Sequence, residues 1–325
     1  MGIKAKFIAS PLLLLLITFT SCPQGADQAG SKGITVATLR GPAGISMVHM
    51  MDSLEELGGQ QLDYQLKNEP MQVRPLLFQE KAEFAVVPTN MASILYNKGV
   101  NYQLAAVPVW GTLYLFGDDE AIHAWKDLEG KKIYLMAKGM TPDVMFRYLL
   151  QKNGIDPGED VQLDYSFPTH IELANAVASG KARLAVISEP LVSMVINKNQ
   201  RVKPLISLND AWKKQTDSEI PQTALLVHRD FAREQADRVR EFLDAYRRSI
   251  QWINSHRKKG AERVVHYQIL SSPEAARESI PRCNMKFRRA DEVKDRVHSY
   301  LQTFYRMNPD IVGGKIPDEN FYFQK

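Results

Sequence analysis

Cysteine is the scarcest residue of this chain, with Cys22 and Cys283 the only two among 325 residues. That count excludes a disulfide framework and any cysteine-rich zinc or iron–sulfur site. Excess charge of one sign is also missing. The 41 Lys and Arg stand against 37 Asp and Glu, a formal charge of +4. A reader of nucleic-acid grooves concentrates basic residues well beyond that, so no nucleic-acid partner is expected. Catalytic signatures are absent too: there is no G-x-S-x-G elbow, no H-E-x-x-H and no G-x-x-x-x-G-K-[ST] loop. The seven histidines are scattered, with no pair at the spacing that puts two ligands on one helix face. Neither catalysis nor a metal or cofactor site is signalled.

What is present begins at the N-terminus. Lys4 and Lys6 precede an apolar run of 13 residues, Phe7 to Phe19. As a helix that run spans about 20 Å, short of the roughly 30 Å a membrane-crossing segment needs. The layout is that of a secretory signal peptide over 1–21. Its end, Phe19-Thr20-Ser21-Cys22, resembles the bacterial lipobox, in which small residues precede a cysteine that is acylated and becomes the mature N-terminus. The polar stretch 22–32 then reads as a flexible tether. The expectation is an extracytoplasmic lipoprotein, held to a membrane by acyl chains on Cys22. Cys283 is left as a lone, buried thiol.

Beyond the tether, apolar types at 44% and charged types at 24% describe an ordinary globular chain, long enough for two domains. Strand-like runs alternate with helical patterns, which argues an α/β architecture with mainly parallel sheets. The runs are Ile34–Leu39, Phe84–Val87, Lys132–Met136 and Leu184–Ser188. Each leads into a turn that opens a helix. Those turns are Arg40-Gly41-Pro42-Ala43-Gly44, Pro88-Thr89, Thr141-Pro142-Asp143 and Glu189-Pro190. Thr89 and Thr141 read as N-caps there, with Pro142 at the first helical position. Residues 81–93 and 181–193 share five identities, an echo that suggests two lobes built alike.

Between the halves, Leu104–Phe116 is a long apolar run broken by Pro108 and Gly111, suited to a chain crossing from one lobe to the other. Thr223–Val227 is the candidate return crossing. Val239, Phe242, Leu243, Tyr246, Ile250 and Ile253, and later Val293, Val297, Tyr300, Leu301 and Phe304, keep helical spacing. The expected organisation is 33–110 in lobe 1, 111–222 in lobe 2, and 223–325 returning to complete lobe 1.

In open α/β sheets ligands bind beyond the carboxyl ends of strands, where helix N-termini offer unsatisfied N–H groups and the positive end of the helix dipole. The four turns therefore carry the candidate ligand-binding residues Arg40, Gly41, Pro42, Thr89, Asn90, Thr141, Asp143 and Glu189. Trp110 joins them from the crossing, with Tyr114 beside it as a possible aromatic wall. Each has a plain structural role as well: a surface ion pair for Arg40, core packing for Trp110 and Tyr114, capping for the threonines.

The stretches GPAG at 41–44, AVVPTNMASILYNKG at 85–99, DLEGKKIY at 127–134 and TPDVMFRYLLQKNGIDPGEDV at 141–161 point to a family together. With Glu189-Pro190 and NPDIVGGKIPDENFYF at 308–323, the chain resembles substrate-binding proteins of ABC importers, in the branch that includes nitrate, sulfonate, taurine and thiamine-precursor binders. The resemblance implies a type II periplasmic-binding fold of two α/β lobes with a hinge and a ligand cleft. It also implies a small-molecule ligand, an ABC permease and ATPase as partners, a monomer, and no enzymatic activity. The alternative is an exported enzyme or a ligand-sensing lipoprotein on the same scaffold.

Overall fold

The computed structural model describes residues 1–2, 33–136 and 138–324, so Cys22, the signal segment and the tether lie outside the described residues. The folded unit is Gly33–Lys325. Its first strands are β1 (Ile34–Leu39), β2 (Glu56–Leu57), β3 (Gln60–Lys67), β4 (Phe84–Pro88) and β5 (Tyr102–Trp110). Then come β6 (Leu113–Gly117), β7 (Lys132–Tyr134), β8 (Gln162–Asp164), β9 (Leu184–Ser188) and β10 (Lys203–Ser207). The last are β11 (Pro221–His228) and β12 (Met285–Arg289).

The helices of the first half are α1 (Pro42–Ser53), α2 (Pro70–Phe78), α3 (Thr89–Asn97), α4 (Thr141–Lys152), α5 (His170–Ala178) and α6 (Leu191–Lys198). Those of the second are α7 (Leu208–Thr216), α8 (Arg229–Glu234), α9 (Ala236–Ser255), α10 (Arg257–His266), α11 (Pro273–Arg282) and α12 (Ala290–Met307). None of the described helices is long and apolar enough to cross a membrane.

Two sheets form. The seven-stranded sheet has the order β12-β5-β11-β4-β1-β3-β2 and the five-stranded sheet β10-β6-β9-β7-β8. All strands of the second sheet fall between Leu113 and Ser207. The apolar run at 104–116 divides between the sheets, β5 ending in the first and β6 beginning the second. Gly111 lies at the division because a Cβ there would sit 2.3 Å from Asn209 Oδ1. The return strand β11 pairs antiparallel with both β4 and β5, Pro221 opposite Trp110.

The expectation of mainly parallel sheets is corrected here. β1 pairs parallel with β3 and β4, and β7 with β8 and β9. The crossing strands β5, β6 and β11 pair antiparallel with their neighbours. The reason is topological: a strand that leaves or re-enters a sheet along the crossing runs against the strands fed by helical crossovers.

β4 shows how the sequence sets the layers. Phe84 and Val86 face one core, with Val48, Phe242 and Tyr246, and Phe84 stacks on Phe242 at 3.7 Å. Ala85 and Val87 face the other core, with Leu95, Tyr300 and Phe304. A strand buried on both faces needs a continuous apolar run, which is what FAVV supplies. The core carrying Tyr300 continues under the second sheet to Leu115, Val186, Phe146 and Leu149. α12 therefore bridges the two sheets. The echoing segments 81–93 and 181–193 become β4–α3 in one sheet and β9–α6 in the other.

Candidate functional site

The four strand-end turns come from both sheets, and tertiary contacts decide what each side chain does. After β1, the Arg40 amide closes onto Lys67 O at 2.7 Å. The Arg40 Nη1 group donates to Tyr267 O and Gln268 O, at 2.9 and 2.7 Å. Its guanidinium thus caps the carboxyl end of α10, where the helix dipole is negative, rather than pairing with an acid. Gly41 is the N-cap of α1 with an extended φ of 167°, and Pro42 occupies the first turn. A side chain at Gly41 would meet no protein atom within 4 Å, whereas at Gly44 a Cβ would lie 2.7 Å from Leu39 O. The glycine at 44 lets α1 start directly against its own strand, while the space beside Gly41 is open.

Thr89 and Thr141 do not cap their helices; Pro88 and Met140 hold those positions. The expected caps are lost because each helix begins one residue earlier, which puts the threonine inside the first turn, where its hydroxyl donates to a tertiary acceptor instead. Thr89 Oγ1 donates to Pro221 O at 2.5 Å, and Thr141 Oγ1 to Asn90 Oδ1 at 2.9 Å. The second bond joins the start of α3 on the first sheet to the start of α4 on the second. Thr89, Asn90 and Thr141 are all buried, at 0%, 3% and 7% exposure.

Asp143 anchors the turn before α4. It accepts from Gly139 N, Arg147 Nε and Tyr165 OH, each at 2.7 Å. Burial and the Asp143 hydrogen bond push the Tyr165 phenol up to about 12. Trp110 is enclosed by protein, and its indole N–H donates to Lys286 O at 2.8 Å.

Glu189 is fully buried. Its carboxylate accepts from Arg282 Nε at 2.5 Å and from the N–H and hydroxyl of Ser193 at 3.1 and 2.8 Å. Arg282 Nη2 also donates to Ser193 Oγ at 2.5 Å. Burial pushes the Glu189 carboxyl above its usual range, and Arg282 works against that rise. Tyr114, half-buried beside the pair, is pushed up to about 12 by burial and by the Glu189 charge.

The structure thus brings Asn90 and Thr141 together, and ties Glu189 to a residue that sequence reasoning missed. Arg282 lies 93 positions away, inside a stretch dense in basic residues, with nothing local to single it out. The partners Ser193 and Arg147 stand four residues after Glu189 and Asp143, a helical spacing that could have revealed them. A further contact across the sheets joins His170 Nδ1 at the start of α5 to Glu69, the N-cap of α2, at 3.4 Å. The hydroxyls of Thr38, Thr112 and Thr223 are buried without a partner among the described residues. Buried hydroxyls normally have one, so these three mark unspent hydrogen-bonding capacity near the strand ends and the crossings.

Comparison with known proteins identifies this arrangement. A family described as the periplasmic substrate-binding protein of phosphonate ABC transporters matches residues 46–267, over half of the chain. A structure of an ABC transporter from Parabacteroides distasonis is similar at 28% identity and a TM-score of 0.80, covering 90% of this chain and 99% of that one. The periplasmic aliphatic sulphonate binding protein SsuA from Escherichia coli shares the fold at 14% identity and a TM-score of 0.71, covering 89% and 95%. The putative binding protein YtlA of Bacillus subtilis (strain 168) is 27% identical over 149 residues, which is 46% of this chain and 42% of that relative's length. With that family model matching over half of its length, the chain belongs to the family of periplasmic substrate-binding proteins of phosphonate ABC transporters.

Proposed function

We propose that the protein captures a small oxyanionic solute, a phosphonate or sulfonate, between its two sheets and delivers it to an ABC permease and its ATPase. The observation that carries this reading is the meeting of helix starts from different sheets, seen in the 2.9 Å bond from Thr141 to Asn90. Helix N-termini and hydroxyls suit a ligand with several acceptor oxygens. Arg40, Gly41, Pro42, Asn90, Thr141 and Glu189 stand at the facing turns, and Thr89, Trp110 and Asp143 brace them from behind.

Residues 33–110 with the C-terminal helices form one lobe in this reading and 111–222 the other, closing on the ligand about the crossings. Titration calorimetry with methylphosphonate and methanesulfonate tests it, beside small-angle scattering. Binding with a smaller radius in the bound form is expected; no heat with either compound overturns the reading.

Anchoring belongs to the same proposal. Acyl chains on Cys22 hold the monomeric protein to a bacterial membrane, facing outside the cytoplasm, a reading supported by the charged n-region, the apolar run and the small residues before Cys22. Cys22→Ala should release the protein from sedimented membranes.

A further inference from the structure

We propose that Arg282 reads the negative charge of the bound solute, its guanidinium held in a fixed pose by Glu189 and Ser193. The assignment rests on the proposed function and names the residue within that site that selects an oxyanion over an uncharged isostere. Arg282 ends α11, which packs against α6, and its fork reaches across to the start of α6. Nε and Nη2 are spent there on Glu189 Oε1 and Ser193 Oγ. Glu189 and Ser193 are both fully buried, so the pose is set by groups that water cannot replace. The Arg282 side chain is 33% exposed, and its Nη1 has no protein partner among the described residues.

The surroundings point the same way. The Glu189 amide donates to Thr112 O at 3.1 Å, which places the crossing beside the pair. The Thr112 hydroxyl is buried and without a partner among the described residues, and the Tyr114 ring stands next to both charges. The bonds of the Glu189 carboxylate run inward, to Arg282 and Ser193. What the cluster leaves unspent are the Nη1 N–H groups of the guanidinium and the Thr112 hydroxyl. Such a set complements acceptor oxygens carrying negative charge, the chemistry of a sulfonate or phosphonate head group. An arginine fixed before the ligand arrives also loses little rotamer freedom on binding.

The test is calorimetry on the protein as its host processes it, with methanesulfonate, methylphosphonate and the uncharged methanesulfonamide. Arg282→Ala should weaken binding of both anions by about tenfold to a hundredfold while changing the sulfonamide little. Added guanidinium ion should restore part of the loss. Arg282→Lys should restore little, because an ammonium cannot span Glu189 and Ser193 as a fork does. Glu189→Asp, which retracts the carboxylate, should lower the ratio of anion to sulfonamide affinity, a readout that a purely structural role would not move.

Anion binding at wild-type strength in folded Arg282→Ala overturns the assignment alone. So does an equal loss for all three compounds. If Arg282→Ala does not fold, Arg282→Lys decides: a reduced ratio supports the assignment and an unchanged ratio overturns it. Failure of the wild type to bind either anion overturns the proposed function and this assignment with it.

Discussion

Where α3 meets α4, the bridge between the sheets is a threonine hydroxyl donating to an asparagine amide. Where α6 meets α11, it is a guanidinium donating to a buried carboxylate. Asn90, Thr141 and Glu189 are buried while Arg282 is partly exposed, and the bridges differ in what is stranded when they part. A neutral pair exchanges its bond for bonds to water at a net cost of about 1 kcal/mol. Separating a buried ion pair leaves a charge without compensation, at a cost of several kcal/mol. In the proposed closure, the sheets therefore part more readily at the Asn90–Thr141 end than at the Glu189–Arg282 end, and the charged bridge serves as the pivot.

The hardest way to break the comparison is to strand the carboxylate. Arg282→Met should destabilise the protein by about 3–5 kcal/mol in urea unfolding. Its pH dependence has a definite sign. Burial already raises the Glu189 carboxyl, and without Arg282 only the hydrogen bonds from Ser193 oppose the rise. A group whose folded pKa lies above its unfolded value contributes stability at low pH and loses it as pH rises through the folded value. The variant should therefore be closest to wild type in acid and furthest from it at neutral pH.

Removing both charges sharpens the point. Glu189→Gln combined with Arg282→Met should cost less than Arg282→Met alone, by about 2 kcal/mol, because no buried charge remains. A double-mutant cycle from the same unfolding curves reads the difference. At the neutral bridge, Thr141→Val, which leaves the buried Asn90 Oδ1 without its donor, should cost about 1–3 kcal/mol in the same assay. Asn90→Ala should weaken ligand binding by about 1–3 kcal/mol in calorimetry, the range for a polar partner left unpaired.

The smallest effect belongs to a pair outside both bridges. Lys132 Nζ lies 2.7 Å from Asp164, whose carboxyl is held down to about 2, chiefly by that contact. A depressed carboxyl contributes stability above its unfolded pKa and loses it as pH falls through the folded one. Solvent screens the pair, so Asp164→Asn should change stability by under about 1 kcal/mol at neutral pH. The difference should shrink as pH falls toward about 2 and vanish below it in thermal melts.

Much of the scaffold was legible in the residues. Ile34–Leu39 and Leu184–Ser188 are strands with the expected ends. The helical stripes at Val239–Ile253 and Val293–Phe304 face the cores as their spacing requires. The crossing run was recognisable because neither Pro108 nor Gly111 suits the middle of one uninterrupted strand. Local rules fell short where the backbone path and distant partners decide. Thr89 and Thr141 have the right chemistry for caps, yet their helices begin one residue earlier and their hydroxyls donate to Pro221 O and Asn90 Oδ1. Trp110 and Arg40 read as site residues from their place in the chain, while their N–H groups go to backbone carbonyls more than 170 positions away. No spacing rule links Glu189 to Arg282, since only the packing of α11 on α6 brings them into contact.

Cys283 follows Arg282 directly, is fully buried, and is the free cysteine of the described residues. Burial raises its thiol well above the usual range, so in the closed fold it is both unreachable and unreactive. A thiol-directed dye can mark it only in those moments when the end of α11 lifts. The labelling rate therefore counts openings of the contact between α11 and α6, one molecule at a time. A solute seated on Arg282 as proposed should slow that clock.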